Sequence, residues 1–183
     1  MRIFAGLELP DGARAEAARL AVAAQACMPG RYVRPENYHV TLAYIGEADG
    51  ATCAAAADAL REAARALRGR RVRCVLAQAR YFKRREHAIL YCAVRPEPGV
   101  ACAAQAVRAS LAARGIPFDP APFVPHVTLA RGVCVDEAAL AHLTPPPEER
   151  RIGGLTLFES ARVDGELRYT PILRAMLEEE GAP

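Results

Sequence analysis

Apolar and polar positions along the chain change period several times, and each change predicts an element. "RIFAGLELP", at 2–10, alternates and stops at Pro10, which predicts a strand. The spacing then lengthens to that of an amphipathic helix from Asp11, as its cap, to about Met28, ended by Pro29-Gly30. "YHVTLAYIG" alternates again and stops at Gly46, and a second helix covers Asp49 to Leu67, closed by Gly69. Three strand-like runs follow at 71–79, 80–84 and 87–95, the last after the charged turn "KRREH". A helix from about 99 to 114 ends at Gly115, and the proline-rich loop "GIPFDPAPFVP" leads into "HVTLARG". A short helix at 136–143 is cut off by Pro145-Pro146-Pro147, and the runs "RIGGLTLFESARV" and "LRYTPILRAML" close the chain as strands.

One pentapeptide, HVTLA, occurs in both halves, at 39–43 and at 126–130. Each copy follows a helix and a connection. That arrangement predicts an α+β protein of two related lobes rather than a doubly wound parallel sheet. No linker separates the halves, so the expectation is a single unit over 1–183.

In a strand, residues i and i+2 share a face, roughly 6.5 to 7 Å apart. His39 and Thr41 therefore share one face and Val40 and Leu42 the other, and His126 with Thr128 repeats the pattern. An apolar core explains Val and Leu; it does not explain why His and Thr are used identically twice. Two imidazoles, ordinarily titrating near 6.5, can supply a general base and a general acid together near neutral pH. On opposite sides of a phosphorus they suit an in-line displacement, each contributing about 10²- to 10⁴-fold. The threonine hydroxyls are short donors for non-bridging phosphate oxygens. Zinc would want three or four ligands at tight spacing, and the motif supplies two histidines. Nucleophilic catalysis has no GxSxG and no cysteine next to either histidine. Acid/base phosphoester chemistry ranks ahead of both.

Composition narrows the picture further. The chain is 52% hydrophobic and 25% charged, and no apolar run approaches the roughly 18 to 20 residues of a spanning helix. Glu8 and Asp11 come too early for a signal peptide, so a cytoplasmic protein with no membrane attachment is expected. The six cysteines have no CxxC pair and are expected to be small buried side chains. Net charge is +3, and of the 24 basic residues only Lys83 is lysine. From Arg68 to Arg85, "RGRRVRCVLAQARYFKRR", eight residues are basic and none acidic; such a run serves equally as a solvated face or as a hold on an RNA backbone. There is no Walker or glycine-rich phosphate loop, so ATP-driven ligation is not expected.

With these residues in place, the sequence resembles the two-histidine (2H) phosphoesterases, defined by two His-x-Thr/Ser motifs with hydrophobic neighbours. More narrowly, it is similar to the bacterial and archaeal RNA 2′,3′-cyclic phosphodiesterases, historically named 2′-5′ RNA ligases. "RIFAGLELP", "YVRPENYHVTLAYIG", "FVPHVTLARG" and "LTLFESARVDGELRYTPI" carry the likeness over nearly the whole chain. The resemblance implies a bilobal pseudo-twofold fold, two antiparallel sheets lining a central cleft with helices outside. It implies metal-independent opening of a 2′,3′-cyclic phosphate at an RNA end to a 2′-phosphate; the expectation is a monomer that needs no cofactor. His39 would be the general acid and His126 the general base, although a symmetric site allows the reverse; Thr41 and Thr128 would hold the phosphate. An ATP-independent 2′-5′ ligation in the same site, or a non-catalytic RNA-end-binding module, are the alternatives.

Arg131 stands where strict alternation would point it away from the histidines, whereas relatives place an arginine at this offset against the phosphate. The functional reading therefore predicts a bulge or strand end near Ala130. Phe4 is a candidate for stacking on a base, with core packing as the competing role. Tyr38, Tyr44, Tyr81, Phe82 and Tyr169 are further aromatic candidates. Arg34 and Asn37 are expected to shape the turn before His39, and His87 and His142, which have no partner motif, to be non-catalytic.

Overall fold

The computed structural model describes residues 1–177, so the last six positions of the expected 1–183 unit lie outside the described residues. Strand β1 (Arg2–Glu8) leads into helix α1 (Asp11–Gln25), then β2 (Arg31–Tyr32), a 3₁₀ turn (Pro35–Asn37) and β3 (His39–Glu47). Helix α2 (Gly50–Ala66), the hairpin β4 (Arg73–Arg84) and β5 (His87–Val94), and helix α3 (Pro98–Ala112) follow. Then come β6 (His126–Val133), α4 (Glu137–Ala141), β7 (Glu149–Arg151), β8 (Gly154–Val163) and β9 (Glu166–Met176). The expected α+β class is what is found. Two of the predicted runs, 71–79 and 80–84, are one strand with a register shift between Leu76 and Ala79. Asp11 is the first residue inside α1 rather than its cap, and its side chain makes no cap bond; Asp49, by contrast, caps α2 by accepting from the Thr52 amide at 2.7 Å.

The strands are hydrogen-bonded in the order β7-β4-β5-β6-β3-β1-β8-β9, with β2 beside β6. The two halves of this sheet meet at β3 and β6, which are joined antiparallel at a single residue pair, Val40 with Val127. Val40, Leu42, Val127 and Leu129, on the face opposite the His and Thr side chains, are buried in the core with the alanine- and leucine-rich helix faces. Helix α1, which follows β1, packs on β4 and β6 of the other half, and α3, which follows β5, packs on β3. Each half thus covers its partner's motif strand. Among the described residues, no helix is long and apolar enough to cross a membrane.

The cysteine expectation holds only for Cys74 and Cys92, which are buried and whose thiols burial pushes up to about 12. Cys27 and Cys134 are exposed, lying just beyond the ends of α1 and β6, and Cys53 and Cys102 are half-buried against the margin of the core.

Candidate active site

The duplicated pentapeptide folds into a duplicated bulge. Along β1 and β3, Gly6 faces Thr41 and Ala5 faces Ala43, leaving Leu42 unpaired; along β5 and β6, Tyr91 faces Thr128 and Leu90 faces Ala130, leaving Leu129 unpaired. Both bulges put two core residues in succession, Leu42-Ala43 and Leu129-Ala130, each at most 1% exposed. The alternation resumes one residue late, so Tyr44 and Arg131 return to the face carrying His and Thr. The bulge expected near Ala130 is present. A second register shift leaves Gly132 unpaired in β6, with φ 68°, a conformation glycine adopts without steric cost.

A bulged residue's carbonyl loses its place in the ladder and must find another donor. Leu42 O accepts from Arg108 Nε of α3 at 2.9 Å, and Leu129 O accepts from the Val33 amide at 2.8 Å. One bulge is therefore supported by a side chain from α3 and the other by the backbone that continues β2 along β6.

Each histidine is oriented by the carbonyl two residues before it. His39 Nδ1–H donates to Asn37 O at 2.7 Å, and His126 Nδ1–H donates to Val124 O at 2.6 Å. A carbonyl can only accept, so the neutral ring carries its proton on Nδ1 and presents the Nε2 lone pair to the cleft. At His39 that lone pair accepts from the Thr41 hydroxyl at 3.0 Å. At His126 neither Nε2 nor the Thr128 hydroxyl bonds to another described residue. All four side chains are half-buried.

Burial pulls both imidazoles below their ordinary value. His39 is lowered to about 4, chiefly by loss of water around the ring, with smaller contributions from the charges of His126 and Arg131; the bond to Asn37 O opposes the shift. His126 is lowered by burial and by Arg131, against its bond to Val124 O. Arg131 thus acts electrostatically on both rings. It also hydrogen-bonds the Tyr169 phenol, offsetting the upward push of burial on that group.

The two rings sit in different aromatic surroundings. Phe4 lies 4.7 Å from His39 between ring centroids, Phe158 stacks on Phe4 at 4.9 Å, and Tyr169 meets His39 edge-on at 5.0 Å. Around His126, Phe82 and Tyr91 stack at 4.2 Å and both present it with a tilted edge, at 5.1 and 5.3 Å. Phe4 is 3% exposed, so of its two candidate roles core packing holds: its ring supports His39 and leaves no free face for a base. Of the other aromatic candidates, Tyr38 is buried and Tyr81 donates to Glu137 of α4 at 2.6 Å, whereas Tyr44, Phe82 and Tyr169 reach the cleft face. His87 and His142 stand apart from the pair, on the β4–β5 hairpin and at the end of α4.

Sequence reasoning missed four supporting residues. Asn37 does more than shape a turn: its Nδ2 donates to Leu167 O at 2.8 Å and its Oδ1 accepts from the Tyr169 amide at 3.1 Å, tying the carbonyl that orients His39 to β9. Gly6 lets β1 and β3 approach closely beside the first motif, since a Cβ there would lie 2.9 Å from Val40 O, while His39 Cδ2, at 3.6 Å, would be in ordinary contact. A glycine inside an alternating strand was the available signal for such a close approach. Phe158 and Tyr91 carried none, because an aromatic in a strand is ordinary core until its neighbours are known. Among the described residues, no group of three or more His, Cys, Asp or Glu is placed to hold a metal ion.

This architecture has known relatives. The chain is 29% identical over 182 residues to the RNA 2′,3′-cyclic phosphodiesterase of Escherichia coli (strain K12), covering 94% of each. It superposes on the crystal structure of Escherichia coli LigT in apo form with a TM-score of 0.77 and 27% identity, covering 97% of both chains. A Thermus thermophilus protein at 22% identity shares the fold, with a TM-score of 0.80 over 99% of this chain and 100% of its own. The family model of the 2′-5′ RNA ligase superfamily matches residues 9–164, and the chain belongs to that superfamily.

Proposed function

We propose that this protein is an RNA 2′,3′-cyclic phosphodiesterase that hydrolyses a terminal 2′,3′-cyclic phosphate to a 2′-phosphate, with His39 and His126 as its acid/base pair. The observation that carries this is the join of the two halves at Val40 and Val127 alone, which sets both His-x-Thr pairs around one point of the sheet. In support, the similar Escherichia coli protein bears that activity in its name. His126, whose Nε2 is open to the cleft, takes a proton from water as the water attacks phosphorus opposite the 3′ oxygen. His39 in its protonated form gives its proton to that departing oxygen, so a P–O bond forms as the P–O3′ bond breaks. Both imidazoles are neutral in the free protein at pH 7. The bound phosphate anion therefore has a second task, to raise the affinity of His39 for a proton. Thr41, Thr128 and Arg131 hold the non-bridging oxygens, Arg131 as a bidentate fork. Both halves contribute to one site, so residues 1–183 act as one unit.

The test is hydrolysis of a short oligoribonucleotide ending in a 2′,3′-cyclic phosphate, in excess chelator, with the product isomer identified. Wild type should give the 2′-phosphate, and His39→Ala and His126→Ala should each lose about 10²- to 10⁴-fold in kcat. Turnover that survives either substitution would sink the paired-histidine reading.

A further inference from the structure

We propose that a basic groove running outward from Arg131 over the β4–β5 hairpin is a track for the RNA strand, gripping phosphates upstream of the cyclic end; this rests on the reading that the site takes RNA ends. The groove has a volume of about 910 Å³, within the roughly 300–1,000 Å³ of whole-ligand sites and far more than one phosphate fills. Arg31, Lys83, Arg84, Arg85, His87 and Arg131 line it, with Glu86 as the acidic member. It continues the candidate active site directly. Arg131 pairs with Arg31 on one side and with Ile89 on the other, and the next position along that face of the hairpin is the Arg84–His87 pair. Two residues of strand carry the surface roughly 6.6 Å outward.

Two features single out this surface. Its charge is uncompensated: Arg31, Lys83, Arg84 and Arg85 form no salt bridge with any described residue. At the corresponding end of the other half, Arg2 pairs with Glu47 at 3.1 Å and Arg34 with Glu166. The second feature is the turn itself. The β8–β9 hairpin turns through Asp164-Gly165, residues suited to positive φ, whereas β4–β5 turns through Arg85-Glu86 with Arg85 at φ 45°. A long side chain in the left-handed region costs conformational energy that glycine or asparagine would not. Its presence at the tip of a basic groove fits a side chain kept for what it binds.

The sequence groups eight basic residues between Arg68 and Arg85, but β4 separates its ends by roughly 36 Å. Arg73, at the far end, pairs with Glu149 beside β7. Only the hairpin end, Lys83 to Arg85, belongs to the track.

The experiment uses the double substitution Arg84→Ala with Arg85→Gly, which removes two charges while giving the turn a residue that suits it. Binding of an oligoribonucleotide with an unreactive 3′-phosphate end is followed by fluorescence anisotropy across a salt series. Single-strand binding should lose about 0.7 from the log–log salt slope per phosphate contact, hence about 1.4 for the pair. In turnover, KM for an oligonucleotide ending in a cyclic phosphate should rise, while a 2′,3′-cyclic mononucleotide, which does not reach the hairpin, should be hydrolysed as by wild type. An unchanged slope, or equal loss on mononucleotide and oligonucleotide, would overturn the track. If wild type hydrolyses neither substrate, the catalytic reading fails alone, and the binding slope still decides the track.

Discussion

Val40 faces Val127, and no other residue pair bonds β3 to β6. Antiparallel pairing at that point places His39 on the Thr128 side and Thr41 on the His126 side, while His39 bonds the threonine of its own motif, Thr41. A sheet joined at one pair can splay on either side of it, which opens the cleft without breaking the core beneath.

Arg131→Ala should lower kcat/KM by about 10²- to 10³-fold, the typical cost of one oriented donor to developing charge. Because Arg131 lowers both imidazoles, its removal should also move the pH profile to higher pH. Arg131→Lys should recover little of the rate, since an ammonium cannot replace the fork. Steady-state kinetics of the three proteins across pH decide this, and an unmoved profile in Arg131→Ala would contradict the electrostatic role.

The pH optimum of kcat/KM should lie below 6.5. That parameter reports the free enzyme, in which both histidines titrate below their ordinary value, and the productive form holds one proton between them. In the complex the phosphate anion raises both, so the kcat optimum should lie at higher pH than that of kcat/KM. Coincident optima above 7 would mean that burial does not govern these rings.

His39 also makes folding stability depend on pH. Folded, the ring is held at about 4, against 6.5 when solvated, so the unfolded chain takes up the proton first. The stability associated with neutral His39 is complete above about 6.5 and is lost progressively as pH falls towards 4. His39→Phe, which fills the aromatic site without titrating, should lose less stability than wild type over that window. Urea midpoints for both proteins at several pH values measure it; parallel curves would rule it out.

Gly6→Ala should destabilise the fold by about 1–3 kcal/mol, because the added methyl meets the Val40 carbonyl, a backbone atom that cannot swing aside. It should also reduce kcat, because the carbonyl that must shift belongs to Val40, the residue directly after His39. At the matching position of the other half stands Tyr91, where the side chain packs against His126 instead. A Gly6→Ala protein with wild-type urea midpoint and kcat would show that the strand gives way more easily than this contact suggests.

Elements were legible wherever local pattern decides them. The helices closed by Gly69 and Gly115 end where glycine ends them, at φ 75° and 65°, and the alternating HVTLA copies are strands. The break predicted inside 71–84 is absent because a register shift in β4 imitates a strand end in sequence. Phe4 is ambiguous in sequence because an apolar ring on a cleft strand can face a ligand or a histidine, and only the neighbouring Phe158 and Tyr169 close off its surface.

Local sequence by itself determined that His39, Thr41, His126 and Thr128 stand in matched pairs opposite an apolar face, since the two-residue period of a strand is a property of the backbone. Tertiary structure decided what the pairs do together. The bulges at Leu42 and Leu129 exist only in register with β1 and β5, and they turn Arg131 inward; the lowered imidazoles arise from burial among rings drawn from five strands. Those effects depend on residues far apart in the chain, and only pairing across the sheet brings them within reach.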